Sequence, residues 1–145
     1  MSALITGGTS GIGAAFARAL AAQGEDLILV ARDAARLESH AAYLRERHGV
    51  EVETLQADLA VRADLLRVAD RVEDPRRPVG LVVNNAGFGL HSDLLKRDFS
   101  IDEKALDVMC LAVLVISAAA GRAMKARGRG HIVNISSLAS WIAQG

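Results

Sequence analysis

A single cysteine, Cys110, excludes any internal disulfide in this chain of 145 residues. A chain without disulfides fits a reducing cytoplasm, which is the compartment expected here. Cys110 lies in an apolar run and is expected to be a small buried hydrophobe rather than a nucleophile. Aromatic residues make up only 3%, so Ala, Val, Leu and Ile must build the core. An excess of one charge is missing too, since 17 Lys and Arg balance 17 Asp and Glu. That balance gives no electrostatic case for nucleic acid or an anionic membrane. Clusters such as Arg76-Arg77 read as solvated surface. The N-terminus, Met1-Ser2-Ala3-Leu4-Ile5, lacks the basic stretch of an export signal. The longest uncharged run, Val108 to Gly121, falls short of the roughly 20 residues that a bilayer-spanning helix needs. No membrane, nucleic-acid or metal partner is expected.

What is present is a strict alternation of strand and helix. Leu4-Ile5-Thr6 ends a short apolar strand, and Ile12 to Gln23 reads as a helix with Ile12, Phe16 and Leu20 on one face. Leu27 to Val30 is a continuous apolar strand of the kind buried on both faces of a parallel sheet. An amphipathic helix over Ala34 to His48 stops at Gly49, and Val50 to Gln56 forms a third strand. A helix over Val61 to Val72 and a strand over Val79 to Asn84 follow, separated by Pro75 and Pro78. A looser stretch, Phe88 to Phe99, precedes a long helix over about 101–127, and His131 to Ser136 forms a fifth strand. Strands joined by helical crossovers mean one α/β domain over 1–145, a parallel sheet with helices on both faces. The long helix is apolar nearly all round from Leu106 to Ile116, so a partner subunit or a later helix should cover its outer face.

The first strand runs straight into Thr6-Gly7-Gly8-Thr9-Ser10-Gly11-Ile12-Gly13, which opens the first helix. Glycines so spaced allow a tight turn, close approach of backbone to a pyrophosphate, and close helix–strand packing. The amides at the helix N-terminus suit the phosphates. Gly7, Thr9, Ser10, Gly11, Ile12 and Gly13 are therefore candidate dinucleotide contacts. At the end of the second strand an acidic residue would bind a ribose diol, whereas Arg32 suits a 2′-phosphate. The expected cofactor is thus NADP(H) ahead of NAD(H), with Asp33 a helix cap in either case. Asp58 and Leu59, just past the third strand, fall where an adenine ring should lie. Alone, Asp58 would read as a helix cap.

Four segments in order resemble the short-chain dehydrogenases/reductases: Thr6 to Gly13, Asp58, Asn84-Asn85-Ala86-Gly87, and Gly130 to Ser137. The resemblance spans essentially the whole chain. It implies a Rossmann-type doubly wound sheet of strand order 3-2-1-4-5, ending here after the fifth strand. It also implies a hydride transfer between nicotinamide and a small carbonyl or alcohol substrate. Asn84 or Asn85 would tie neighbouring strands, and Asn85, Ala86 and Gly87 would close the cofactor pocket. Ser137, with Ser136 as the adjacent alternative, would hold the substrate oxygen as the catalytic serine. The long helix would join subunits of a homo-oligomer.

Two departures accompany the resemblance. The family's catalytic tyrosine and its lysine would fall about a dozen residues beyond Ser137, near position 150, and the chain stops at Gly145. The sole tyrosine, Tyr43, lies on the second helix and cannot substitute. Ala143-Gln144-Gly145 reads as mid-loop, so the expectation is an incomplete and inactive N-terminal portion. Secondly, Met109 stands where many members carry an asparagine that supports a relay water, and a thioether cannot orient water as an amide can. The alternative function is a non-catalytic dinucleotide-binding sensor or subunit.

Overall fold

The computed structural model describes residues 2–90, 95–96 and 98–137. Positions 91–94 of the irregular stretch after Phe88, and Ala143-Gln144-Gly145, lie outside the described residues. The chain runs β1 (Ser2–Thr6), α1 (Gly11–Ala22), β2 (Leu27–Ala31), α2 (Ala34–His48), β3 (Val52–Gln56), α3 (Arg62–Glu73) and β4 (Val79–Asn84). Then come α4 (Ser100–Leu106), a π-helical turn (Asp107–Leu111), α5 (Ala112–Arg127) and β5 (His131–Asn134). All neighbouring strands pair in parallel, in the order β3-β2-β1-β4-β5.

Alternation along the strands divides the core into two layers. Leu4, Ile28, Val30 and Val82 point toward α3 and α5, meeting Leu65, Val68, Val72 and Ile116. Ala3, Ile5, Leu27, Leu29 and Val83 point the other way, toward Ala17 and Ala21 of α1 and Leu37, Ala41 and Leu44 of α2. A parallel sheet needs both faces covered, which explains why the β1, β2 and β4 segments read as near-continuous apolar runs.

Three expectations are corrected. In α1 the buried stripe is Gly13, Ala14, Ala17 and Ala21, while Ile12 is 55% exposed and Phe16 and Leu20 only flank the core. Small residues bring the helix axis close to the sheet, so the large apolar ones are displaced to its sides. Cys110 is exposed rather than buried, because α5 packs through Ala112, Ile116, Ala119, Ala120 and Met124 and the π-turn places Cys110 away from that face. Finally, the helix is continuous over Ser100–Arg127, 28 residues with mean hydropathy 1.8 in its most apolar window. By length and composition it is sufficient to cross a bilayer, because helical structure continues past both ends of the uncharged run. In this fold, about a third of that window (33%) is buried in the molecule.

Candidate dinucleotide site

The site forms where β1, β2 and β4 end, at the point where the strand order reverses, the usual position of a ligand crevice in an open parallel sheet. Thr6 closes β1 and is 2% exposed. Its Oγ1 accepts from the Asn85 N–H at 2.9 Å and the Ala86 N–H at 3.0 Å, and donates to the Val83 carbonyl at 3.4 Å. One hydroxyl therefore joins the glycine loop to the segment after β4. Asn85 completes the junction, its Nδ2 donating to the carbonyls of Thr6 at 3.0 Å and Gly7 at 3.3 Å.

Gly7 has φ +66°, in the left-handed region that a side chain disfavours. Gly13, in the first turn of α1, packs so closely that a Cβ there would overlap the Gly7 carbonyl and Asn85 Nδ2. Both glycines are thus dictated by the turn. Ser10 caps α1 in an extended conformation without a side-chain bond to the helix, and the first helical bond runs from Ala14 N–H to the Ser10 carbonyl. Among the described residues, the N–H groups of Gly11, Ile12 and Gly13 consequently have no acceptor. Free amides with a helix dipole behind them suit an anion.

The cleft beside this loop has a volume of about 200 Å³. Of the residues singled out from sequence, Gly7, Thr9, Ser10, Arg32, Asp58, Leu59, Ala86 and Gly87 line it. Gly11, Ile12 and Gly13 do not form its wall but begin α1 beside it, and Asn85 acts from behind, bracing the loop. Ser137 is exposed beyond β5 and is not part of the cleft wall. Asp58 combines both readings: it lines the cleft, and its Oδ1 accepts from the Ala60 N–H at 3.0 Å just before α3. Its own N–H donates to Asp64 Oδ2 at 2.9 Å, which, with Arg67, holds the Asp64 carboxyl below its ordinary range.

Both asparagines tie strands together. Asn84, 4% exposed, donates through Nδ2 to Asn134 Oδ1 at 2.9 Å on β5 and to Ser117 Oγ at 3.0 Å on α5. Asn85 links β4 to β1 as described.

Among the wall residues that sequence reasoning did not single out are Arg36, Phe88 and Val108. Asp33 caps α2 by accepting the Arg36 N–H at 3.0 Å, which places Arg36 in the first turn, beside Arg32. Both line the cleft, and neither guanidinium forms an ion pair among the described residues. The cap spacing could have revealed Arg36. Val108 reaches the cleft from the π-turn, which no simple periodicity signals. Its neighbour Met109 places Sδ 3.4 Å from where a Cβ on Gly87 would stand, so the thioether packs directly on the segment after β4. Tyr43 lies on α2 with its ring stacked on His40 at 6.4 Å.

A family model described as short chain dehydrogenase matches residues 1–144. Galactitol 2-dehydrogenase (L-tagatose-forming) of Cereibacter sphaeroides is 37% identical over 144 residues, covering 97% of this chain and 54% of that protein. A short-chain dehydrogenase from Sphingobium yanoikuyae, solved in complex with NADPH, is 40% identical with a TM-score of 0.93, covering 97% of this chain and 55% of that one. L-sorbose reductase from Gluconobacter frateurii, complexed with NADPH and L-sorbose, gives 30% identity and a TM-score of 0.89, covering 97% and 53%. The chain thus spans little more than half the length of these proteins.

Proposed function

This chain belongs to the short-chain dehydrogenase family, and on that premise we propose that it is the NADP(H)-binding portion of an oxidoreductase acting on a small carbonyl or hydroxyl compound. The observation that carries the reading is one cleft lined both by the glycine loop and by Arg32 and Arg36, neither of which forms an ion pair among the described residues. The diphosphate of the dinucleotide would lie on the free amides of Gly11 to Gly13, and the 2′-phosphate between the two guanidinium groups. Asp58 and Leu59 would hold the adenine, and Ala86 and Gly87 would let the backbone lie against its ribose. The absence of a Cβ at Gly7 and Gly13 leaves the loop the space this requires. The NADPH complexes of similar proteins support the cofactor assignment.

NADP(H) bound there supplies or takes up the hydride. Ser137 would donate a hydrogen bond to the substrate oxygen and orient it. Proton transfer at that oxygen needs a group whose pKa lies near the working pH, and general acid–base catalysis contributes about 10²–10⁴-fold. Tyr43, on α2 against His40, is not placed to serve. The 145 residues by themselves are therefore proposed to bind cofactor without turnover. The full oxidoreductase is further proposed to pair copies through the outer face of the long helix, where Leu106 and Leu114 are 60% and 66% exposed.

Titration with NADPH and with NADH, followed by the fluorescence of the reduced nicotinamide, tests the assignment. Saturable binding is expected, at least tenfold tighter for NADPH because of its 2′-phosphate. Equal affinity for the two would remove the argument from Arg32 and Arg36.

A further inference from the structure

Resting on the cofactor reading above, we propose that His40 is a positioning residue for the glycine loop, holding it ready for a dinucleotide diphosphate by donating a hydrogen bond to the Gly8 carbonyl. His40 lies on α2, on a different element from the loop, and its Nδ1 stands 3.0 Å from the Gly8 oxygen. A carbonyl can only accept, so the proton is on Nδ1. Burial, followed by the charge of Arg18, pushes the imidazole below its ordinary range, so the neutral Nδ1–H form prevails at neutral pH. Tyr43, one turn further along α2, stacks on the ring with planes 17° apart and fixes its orientation.

The loop needs such a restraint. Gly7 and Gly8 are flexible residues whose ordering is entropically costly. Their amides are anchored below, to the Val30 carbonyl at 2.8 and 3.4 Å. Gly8 lies so near β1 and β2 that a Cβ would come within 3.0 Å of Leu29 Cδ2 and 3.3 Å of the Ile5 carbonyl. Among the described residues, only Asn85 and His40 hydrogen-bond through side chains to carbonyls of the Gly7–Ser10 segment. Asn85 grips it from the β4 side and His40 from the α2 side, so the loop is held from two directions. Because α2 also carries Arg36 at the cleft, the His40 bond fixes the loop relative to the cation proposed for the 2′-phosphate. A loop ordered in advance does not lose that freedom when a ligand binds.

Binding of NADPH and of 2′-AMP, with thermal melting alongside, separates the possibilities. 2′-AMP carries the adenosine and 2′-phosphate but lacks the diphosphate, the group for which His40 is proposed to hold the loop ready. H40L keeps bulk and removes the donor, whereas H40N places an amide N–H where Nδ1 stood. H40F, which keeps a ring for Tyr43, takes the place of H40L should that variant not fold. The loss of one neutral hydrogen bond predicts NADPH binding weakened about three- to tenfold in H40L. Affinity for 2′-AMP should stay within about twofold, and H40N should recover most of the loss. Unchanged NADPH affinity in H40L, equal losses for both ligands, or no recovery in H40N would each overturn the role of His40. A wild-type protein that binds neither ligand overturns the cofactor reading, and this inference with it.

Discussion

Thr6 has more structural work to do than its size suggests. Its hydroxyl is shared by the Asn85 and Ala86 amides and the Val83 carbonyl, at a point 2% exposed. Thr6→Val keeps the shape and strands two part-buried N–H groups. A buried donor left unsatisfied costs about 1–3 kcal/mol, so T6V should lower stability by about 2 kcal/mol or more in urea unfolding. It should also weaken NADPH binding, since loop and wall are joined there. Arg36 is the complementary case: exposed, without an ion pair among the described residues, and inconsequential for folding. Arg36→Ala should leave the melting temperature almost unchanged. Hydrogen bonds to charged groups contribute about 1.5–3 kcal/mol, so NADPH affinity should fall roughly tenfold or more while NADH affinity holds. At this scale the sequence was a good guide to backbone-determined positions such as Gly7 and Gly13. It was a poor guide to Cys110 and Ile12, whose exposure depends on which face of a helix meets the sheet.

Among the elements, α2 links fold to site. Asp33 starts it, Gly49 ends it with φ +68°, and between them it carries Arg36 and His40. Asp33→Ala removes the cap bond to the Arg36 N–H, for an expected loss of about 1 kcal/mol and a looser Arg36. Denaturant unfolding and NADPH titration of the same variant would show both effects. The turn after α3 carries the clearest pH signature. Hydrogen bonds from Arg76 and then Arg77 lower the Asp74 carboxyl to about 2. A carboxylate whose folded pKa lies below its unfolded one stabilises the fold above the unfolded value, and that contribution disappears as pH falls through the folded value. Melting curves of wild type and Asp74→Asn should therefore differ above about pH 4 and converge toward pH 2. Helix and strand boundaries were legible from periodicity and from Gly and Pro punctuation to within a residue or two, as at Ala34–His48 and Val79–Asn84. The π-turn at Asp107–Leu111 was not, because an i to i+5 turn lies outside a 3.6-residue pattern.

For the whole molecule, a parallel sheet with two apolar layers places the free carboxyl ends of β1, β2 and β4 around one crevice. Its fold followed from the alternation of elements, and the candidate cleft from glycines, an arginine and adjacent asparagines placed at strand ends. The grip of His40 on Gly8 was not readable, because it depends on how α2 docks rather than on any spacing. The glycine loop and the amides of α1 are proposed to receive a nicotinamide dinucleotide. The most direct test is ¹⁵N-resolved NMR of the protein during titration with NADP⁺. The amides of Gly7 to Gly13, Arg36 and Ala86 should shift together and saturate, while the far end of the sheet around Arg71 and Pro78 stays still. Loop amides that remain unmoved as NADP⁺ binds at that far end, or nowhere, would contradict it.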